Sequence, residues 1–337
     1  MPTFVYPTNR ELEEIVQDLI PRLEEGRKLL ALMPYTFRDT AQVEWEQEDN
    51  YYGLMAVRGI NGQPGNVAKV GAKKYVMKPG YYGEFHQVDE DEMTEARELG
   101  TLGDTINLDQ LIVRRMKHLM VRRFNRMEDT ISKFLRLGIF QNYSDSGAAV
   151  HTDRFTVTSR TPGTLWSTAA TSTPLADLRS WKASGEFGTS SRFGKDSTLL
   201  GTTQTINYLL NNTNAGDLGG KRLGGGNSIN SVGDLNTVLA GNDLPQLDEY
   251  NETADGTNPL IPHGKLIWVG TRPNGQRLGE FIGTRNVNGG DSSNDGIYSK
   301  VVDNGDRAVP RQIQAHHGFN GGLAIYFPSA VQSLNVA

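Results

Sequence analysis

The clearest pattern of apolar positions in the chain runs over residues 105–137. Apolar side chains recur there at steps of three and four residues, the spacing of one face of an α-helix. Asn107 can cap the first turn, and Gly138 can take the left-handed conformation that often follows a last turn. At 1.5 Å per residue such a helix would be on the order of 50 Å long. The pattern therefore predicts one long amphipathic helix that crosses the molecule.

A second helical pattern covers residues 9–32, where Leu, Ile and Val recur at helical spacing. Pro21 removes a backbone donor from the middle of this segment, so we expect two short helices on either side of it. The apolar face of a terminal helix needs a surface to lie on. The sequence leaves open whether that surface belongs to this chain or to another subunit.

Residues 41–88 change to the alternating pattern of β-strands. Turn residues at 61–65 and at 79–80 divide the segment, which predicts a long hairpin-like ribbon. The ribbon contains few large apolar residues, and a two-stranded ribbon alone is marginally stable in water. We therefore expect a neighbouring subunit to hold it. The predicted strands are residues 42–46, 53–57, 67–70, 73–78 and 82–88.

The rest of the chain mixes short helices and strands with glycine-rich loops, which predicts an α+β fold. Residues 139–160 are predicted to form a hairpin whose return strand covers 155–158. Residues 199–211 fit either a strand or a short helix. The other predicted elements are a solvated acidic helix at 89–98, helices at 175–184 and 231–240, and strands at 265–269, 311–315 and 323–327.

The polar face of the long helix is strongly basic. Three interpretations stay open: an ordinary solvated face, ion pairs with carboxylates of an adjacent subunit, or contact with nucleic acid. Suitable acidic partners lie in the ribbon and just after it, and ribbon lysines could join the same contacts. The candidate intersubunit residues are Glu44, Glu46, Glu48, Lys69, Lys73, Lys74, Asp89, Glu90, Asp91, Glu92, Arg114, Arg115, Arg122, Arg123 and Arg126.

Composition limits the classes of protein that fit. A net charge of −5 argues against a protein that coats nucleic acid with its whole surface. The absence of cysteine excludes disulfides and thiol catalysis, and it fits a reducing compartment. The N-terminus lacks a signal-peptide pattern and no stretch reaches 18 apolar residues, so we expect no membrane segment. With 38 glycines and a hydrophobic fraction of 37%, the chain is expected to complete part of its burial against neighbours.

The sequence offers no convincing motif for catalysis or cofactor binding. Residues 188–196 approach the phosphate-loop pattern, but their glycines are one residue too far apart and Asp196 replaces the Ser or Thr that binds Mg²⁺. The histidines are scattered, and His316 and His317 would point to opposite faces of a strand. We therefore expect no enzyme activity, no cofactor and no metal site.

Several short stretches, taken in chain order, resemble a known family. The long helix ends in Leu-Arg-Leu-Gly at 135–138 and is followed by a hairpin. Leu-Asp-Glu-Tyr at 247–250 is followed by residues 260–268, where an Ile-Pro-His-Gly-Lys turn leads into a buried strand. A proline-containing C-terminal segment covers 327–336. These stretches resemble the major capsid proteins of tailed bacteriophages, specifically the lambda-type major capsid protein E group. The glycine-rich residues 185–230 depart from that family's pattern.

The resemblance implies the Hong Kong 97-type fold and a subunit that forms the hexamers and pentamers of an icosahedral head around double-stranded DNA. It also implies scaffold, portal and decoration proteins as partners, no membrane contact, assembly in the bacterial host cytoplasm, and a location in the virion capsid. The implied parts are an N-arm (1–40), an extended loop (41–88), a peripheral domain (89–174) with the spine helix at 105–137, an axial domain (175–310) and C-terminal strands returning to the peripheral domain (311–337).

Two alternatives stay open. Another phage structural part, such as a tail-tube or decoration protein, would usually be smaller and would lack so long a helix. A β-rich carbohydrate-binding or hydrolytic protein would need a cleft rimmed by aromatic residues or paired carboxylates.

Overall fold

The computed structural model describes residues 9–48, 54–55, 72–88, 108–143, 147–212, 231–272, 275–286, 296–303 and 312–337. The predicted turn at 61–65, strand at 67–70 and acidic helix at 89–98 lie outside these ranges. The predicted strand at 53–57 also lies outside them, except for Leu54 and Met55.

Helices form where apolar residues follow the three-and-four spacing, and strands form where the alternation has a period of two. The helices are α1 (Asn9–Glu24), α2 (Lys28–Leu32), α3 (Leu108–Leu137), α4 (Pro174–Glu186), α5 (Thr203–Leu210) and α6 (Val232–Ala240). The strands are β1 (Tyr35–Arg38), β2 (Val43–Glu48), β3 (Ala72–Met77), β4 (Gly80–Val88), β5 (Ile139–Tyr143), β6 (Ala149–Arg154), β7 (Thr158–Arg160), β8 (Thr198–Gly201), β9 (Leu247–Glu249), β10 (Lys265–Val269), β11 (Gly279–Thr284), β12 (Ile297–Asp303), β13 (Ile313–Ile325) and β14 (Val331–Asn335).

The long helix α3 is confirmed as a single helix of 30 residues. Its apolar stripe is buried from Leu111 to Leu135, against the N-terminal helices and against β13. The helix ends where predicted, because Gly138 takes a positive φ of 66°. A Cβ at that position would lie 2.2 Å from the carbonyl oxygen of Phe155, so glycine is required. The predicted first residues, 105–107, lie outside the described ranges.

The first sheet has the strand order β1-β11-β13-β12, and β4 pairs with β13 as well. The sequence predicted two strands at 311–315 and 323–327, separated by glycine-rich residues. This prediction is wrong, because one continuous strand, β13, runs antiparallel to β4, β11 and β12. Gly318 does not form a turn but lets the backbone of β4 approach closely, since a Cβ there would lie 2.4 Å from the carbonyl oxygen of Tyr82.

The main hydrophobic core lies between α3 and the first sheet. Helix residues such as Phe124 and Phe134 pack there with Phe281, Phe319 and Leu323 from the sheet, and all five are at most 2% exposed. Burial of apolar surface on this scale is the dominant stabilising term in folding. The core therefore fixes α3 across the sheet and determines which face of α3 remains outside.

A second sheet has the order β7-β14-β10-β8-β9 and encloses another core with α4, α5 and α6. The buried strand predicted at 265–269 is confirmed as β10. Trp268 on this strand is fully buried, and its indole N–H donates a hydrogen bond to Ser197 Oγ at 2.8 Å. The C-terminal strand β14 lies between β7 and β10, so the end of the chain is built into the sheet.

Three further predictions are corrected by the structure. α1 continues through Pro21, because the carbonyl of that residue still accepts a hydrogen bond from Glu25, and the chain turns instead at Gly26 with a φ of 83°. The hairpin after α3 returns through β6 rather than 155–158, because Phe155 enters the main core. Residues 199–211 contain both a strand and a helix, namely β8 and α5.

Candidate intersubunit surfaces

A cleft of about 510 Å³ opens where α3 crosses β4 and β13. Arginines from α3 and tyrosines from β4 and β5 line it. Arginine and tyrosine are among the residue types enriched at protein interfaces. We call this surface the arginine–tyrosine cleft, defined by Tyr81, Tyr82, Arg122, Arg126 and Tyr143.

Arg126 lies in the middle of the cleft between two aromatic rings. Its guanidinium carbon is 5.0 Å from the centre of the Tyr82 ring and 5.6 Å from that of Tyr143. Asp129 is 3.9 Å away, and the same carboxylate accepts a hydrogen bond from Lys133 at 2.6 Å. Two cations therefore share one anion. A guanidinium also carries five N–H donors, more than this carboxylate can satisfy.

Arg122 forms a two-pronged ion pair with Glu84 of β4. Arg122 Nη2 donates to Glu84 Oε1 at 2.7 Å, and Nε donates to the other carboxylate oxygen. Hydrogen bonding to Arg122 lowers the pKa of Glu84 below its usual range. Both side chains are about half exposed, so the pair contributes roughly 0–1 kcal/mol to stability. Arg122, which was predicted to contact another subunit, is therefore already paired within its own subunit.

Arg123 requires a correction to the predicted intersubunit set. Its side chain is buried, with the guanidinium carbon 4.5 Å from the centre of the Phe124 ring and Nη1 3.4 Å from Nε2 of His317. Although the residue borders the arginine–tyrosine cleft, only 6% of it is exposed, so it offers almost no surface to a neighbouring subunit. The signal was present in the sequence, because Arg123 lies four residues from both Leu119 and Met127 and therefore falls on the apolar stripe.

His317 lies in the same buried environment. Its Nδ1 is 2.8 Å from Ser299 Oγ, and the ring is 3% exposed. Burial, reinforced by the neighbouring Arg123, lowers the pKa of His317 well below its ordinary value. His316 points to the other face of β13, where its ring stacks on Phe85 at 5.1 Å. The two histidines thus face opposite sides, as predicted.

The base of the ribbon, formed by β2 and β3, docks one face on its own chain. Trp45 stacks on Tyr75 with ring centres 5.6 Å apart, and its indole N–H donates to the carbonyl of Ile325 at 2.8 Å. The Tyr75 ring is 5.2 Å from that of Phe155. The expectation that a neighbour must hold the ribbon is therefore wrong for this base, because aromatic contacts within the chain already do so.

The opposite face of the ribbon base is acidic. Glu44 and Glu46 alternate with Trp45 along β2, so they point away from the docked face. Both are exposed, and Glu44 Oε2 is 2.6 Å from Lys74 Nζ. This ion pair raises the pKa of Lys74. We call Glu44, Glu46 and Lys74 the acidic ribbon face, since two carboxylates share one ammonium group.

The N-terminal helices pack on the chain's own α3. The sequence left open whether this chain or another subunit covers their apolar face, and the structure shows that this chain does. Arg27, between α1 and α2, donates hydrogen bonds to Glu128 Oε2 at 2.6 Å and to Asn125 Oδ1 at 3.0 Å. Glu128 is fully buried and also accepts a hydrogen bond from Tyr250 Oη at 2.6 Å. Burial raises the pKa of Glu128, although both hydrogen-bond donors oppose the shift. This group joins the N-terminal segment to α3 and to the loop after β9.

The other predicted intersubunit residues are spread over the surface or lie beyond what the structure describes. Lys73 is exposed on β3, and Glu48 is the last residue of β2. Arg114 and Arg115 are half-buried near the start of α3. The remaining members, outside the described ranges, are Lys69, Asp89, Glu90, Asp91 and Glu92.

Two features of β4 were not predicted from the sequence. His86 Nε2 is 2.7 Å from Nδ1 of His118 on α3, and the rings stack at 4.9 Å. Tyr81 and Phe85 remain 73% and 53% exposed on this strand. Alternation along β4 indicates which residues share a face. The pairing of β4 with β13 joins residues more than 200 apart, and no short-range pattern specifies such a pairing.

Among the described residues, exposed apolar side chains are more conspicuous than any cluster of catalytic or metal-binding groups. Leu54 and Met55 in the ribbon are 100% and 96% exposed. Among the residues described, no group of His, Asp and Glu is arranged to hold a metal ion. None of the helices that the structure describes has the length and apolar character that a membrane span requires.

Comparison with known proteins gives a family match over most of the chain. A family model described as phage major capsid protein E matches residues 36–300. No curated protein sequence matches the chain.

Solved structures share the fold at low sequence identity. A protein described as a capsid protein of a prophage of E. coli CFT073 is 11% identical, with a TM-score of 0.59 over 95% of this chain and 98% of that one. A phage-related protein from Bordetella bronchiseptica RB50 is 9% identical, with a TM-score of 0.54 and coverages of 95% and 97%. The capsid asymmetric unit of cyanophage Pam1 gives 9% identity, a TM-score of 0.52 and coverages of 89% and 86%.

Proposed function

This chain belongs to the phage major capsid protein E family and has the Hong Kong 97-type fold, and from that premise we propose that it tiles an icosahedral head as hexamers and pentamers. Members of the family are structural proteins that assemble into multimeric shells. The family match over residues 36–300 is the observation that carries the proposal.

The proposed content of the head is double-stranded DNA, contacted without sequence specificity. A net charge of −5 restricts such contact to local basic surfaces. Scaffold, portal and decoration proteins are the proposed partners, and the bacterial host cytoplasm is the proposed place of assembly. The role is that of a structural subunit, with no catalysis and no cofactor. The proposed parts remain the N-arm, extended loop, peripheral domain, axial domain and returning C-terminal strands.

The proposed intersubunit contacts use the accessible members of the predicted set. Arg123 is omitted because it is buried, whereas the residues outside the described ranges stay in the proposal. The accessible members are Glu44, Glu46, Lys73, Lys74, Arg114, Arg115, Arg122 and Arg126. Glu48, the last residue of β2, also stays in the proposal.

Neither alternative function is favoured by a specific observation. The arginine–tyrosine cleft is aromatic, but Glu84 and Asp129 inside it are each engaged by a basic side chain. They therefore do not form the pair of free carboxylates that glycoside hydrolysis needs.

Electron microscopy and sedimentation of the purified protein test the proposed function, with scaffold protein supplied in parallel. We expect closed shells of uniform diameter. Tubes would indicate a tail part instead. A strictly monomeric species under every assembly condition would overturn the proposal.

A further inference from the structure

We propose that the arginine–tyrosine cleft receives the acidic ribbon face of a second copy, so that Glu44 and Glu46 of one subunit lie beside Arg122 and Arg126 of the next. This inference rests on the proposed function, because only an assembled shell brings two copies into such contact. It assigns a specific partner to a surface that the family match leaves unassigned.

The two faces of the ribbon base provide the first argument. The aromatic face is already occupied, since Trp45 donates to Ile325 and Tyr75 packs beside Phe155. Glu44 and Glu46 point the other way and are exposed. The acidic ribbon face is therefore presented away from the body that holds the ribbon, in a position to meet another molecule.

Charge complementarity provides the second argument. On the ribbon, Glu44 and Glu46 face the single cation Lys74, which leaves one negative charge in excess. In and beside the cleft, Arg122 pairs with Glu84, while Arg126 and Lys133 share Asp129. These groups leave one positive charge in excess, and Arg123, which also lines the cleft, adds a further positive charge. Joining the two surfaces would bring opposite net charges together, which favours this pairing over contact between like-charged faces.

The construction of the cleft provides the third argument. Arg126 is held between Tyr82 and Tyr143, so its guanidinium is already oriented before a carboxylate arrives. A pre-oriented side chain loses less conformational freedom on binding. Tyr81, 73% exposed at the rim, can cover the ion pairs and exclude water from them.

The absence of cysteine from the chain allows a direct test. A Glu46→Cys chain and an Arg126→Cys chain are mixed, assembled and oxidised, and the products are separated on a denaturing gel without reductant. We expect a covalent dimer in the mixture and not in either variant alone. The matched control replaces Arg126→Cys with Ser184→Cys, an exposed position on α4. Dimer yield no higher than in this control would overturn the inference.

A charge exchange provides a second measurement that does not depend on cross-linking. Arg126→Glu alone and Glu46→Arg alone should each raise the protein concentration needed for assembly by about tenfold or more. The double variant should restore assembly toward the wild-type concentration. Failure of that rescue while wild-type shells form would defeat the docking inference only. Failure of the wild-type protein to form shells would instead defeat the proposed function.

Discussion

Three arginines on one helix show that a rotation of one residue along the helix decides the surroundings of a charge. Arg122 is half exposed and paired with Glu84, Arg123 is buried, and Arg126 is stacked between tyrosines. Successive residues of a helix are rotated by about 100°, so neighbours in sequence face different surroundings. Charge alone placed all three on an outer face, whereas the spacing of Arg123 from Leu119 and Met127 places it inside.

His317 gives a pH-dependent prediction at the residue scale. Its pKa in the folded chain is well below 6.5, so below pH 6.5 the unfolded chain binds a proton that the folded chain does not. Stability should therefore fall as the pH drops, by up to about 1.4 kcal/mol per pH unit. His317→Gln should remove that part of the slope between pH 6.5 and 5, as measured by urea unfolding of unassembled subunits.

His86→Gln is the comparison variant for this experiment. Burial, followed by the charge of His118, also lowers the pKa of His86, but His86 is only half-buried and its contribution should be smaller. An unchanged slope in His317→Gln would show that this histidine is not kept neutral by the fold.

At the scale of elements, the ribbon base depends on a few aromatic contacts rather than on a core of its own. Trp45→Ala removes the stack on Tyr75 and the hydrogen bond to Ile325. We expect the base to open more easily by about 2 kcal/mol, because few other contacts hold it. Proteolytic cleavage within the ribbon should then be about 30-fold faster.

Lys73→Ala tests whether the effect is specific. Lys73 is exposed on the adjacent strand of the same ribbon base, so its loss should leave the cleavage rate nearly unchanged. Equal rates in wild-type protein and Trp45→Ala would mean that something other than the tryptophan holds the ribbon.

Elements with a strong local period were predicted from the sequence, and those determined by distant contacts were not. The apolar spacing of α3 and the continuous apolar run of β10 identify both elements. β13 was missed because its glycines resemble turn residues, while in the fold they let Tyr82 and Tyr298 lie against the strand. The acidic and basic candidates were found by charge, but their partners within the chain depend on strand pairing.

At the scale of the whole molecule, the C-terminal strand links the two main cores. Val331 packs in the core beneath α3, whereas Leu334 and Val336 pack in the second core. Removing residues 331–337 would take β14 from between β7 and β10 and open both cores together. We expect the truncated chain to be insoluble or to lack a cooperative thermal transition by circular dichroism.

Removal of Ala337 alone is the matched control for this truncation. That residue is exposed and lies beyond β14, so both cores should remain closed. A soluble truncated chain that melts like the wild-type protein would show that the cores do not depend on the shared strand.

The contact between Arg27, Glu128 and Tyr250 sets an order of events during synthesis. Arg27 leaves the ribosome 101 residues before Glu128, and Tyr250 follows 122 residues later. The complete contact among these three residues therefore cannot form until residue 250 has been translated. Until then only the contacts with α3 can hold the N-terminal helices, so the part that is made first is completed late in synthesis.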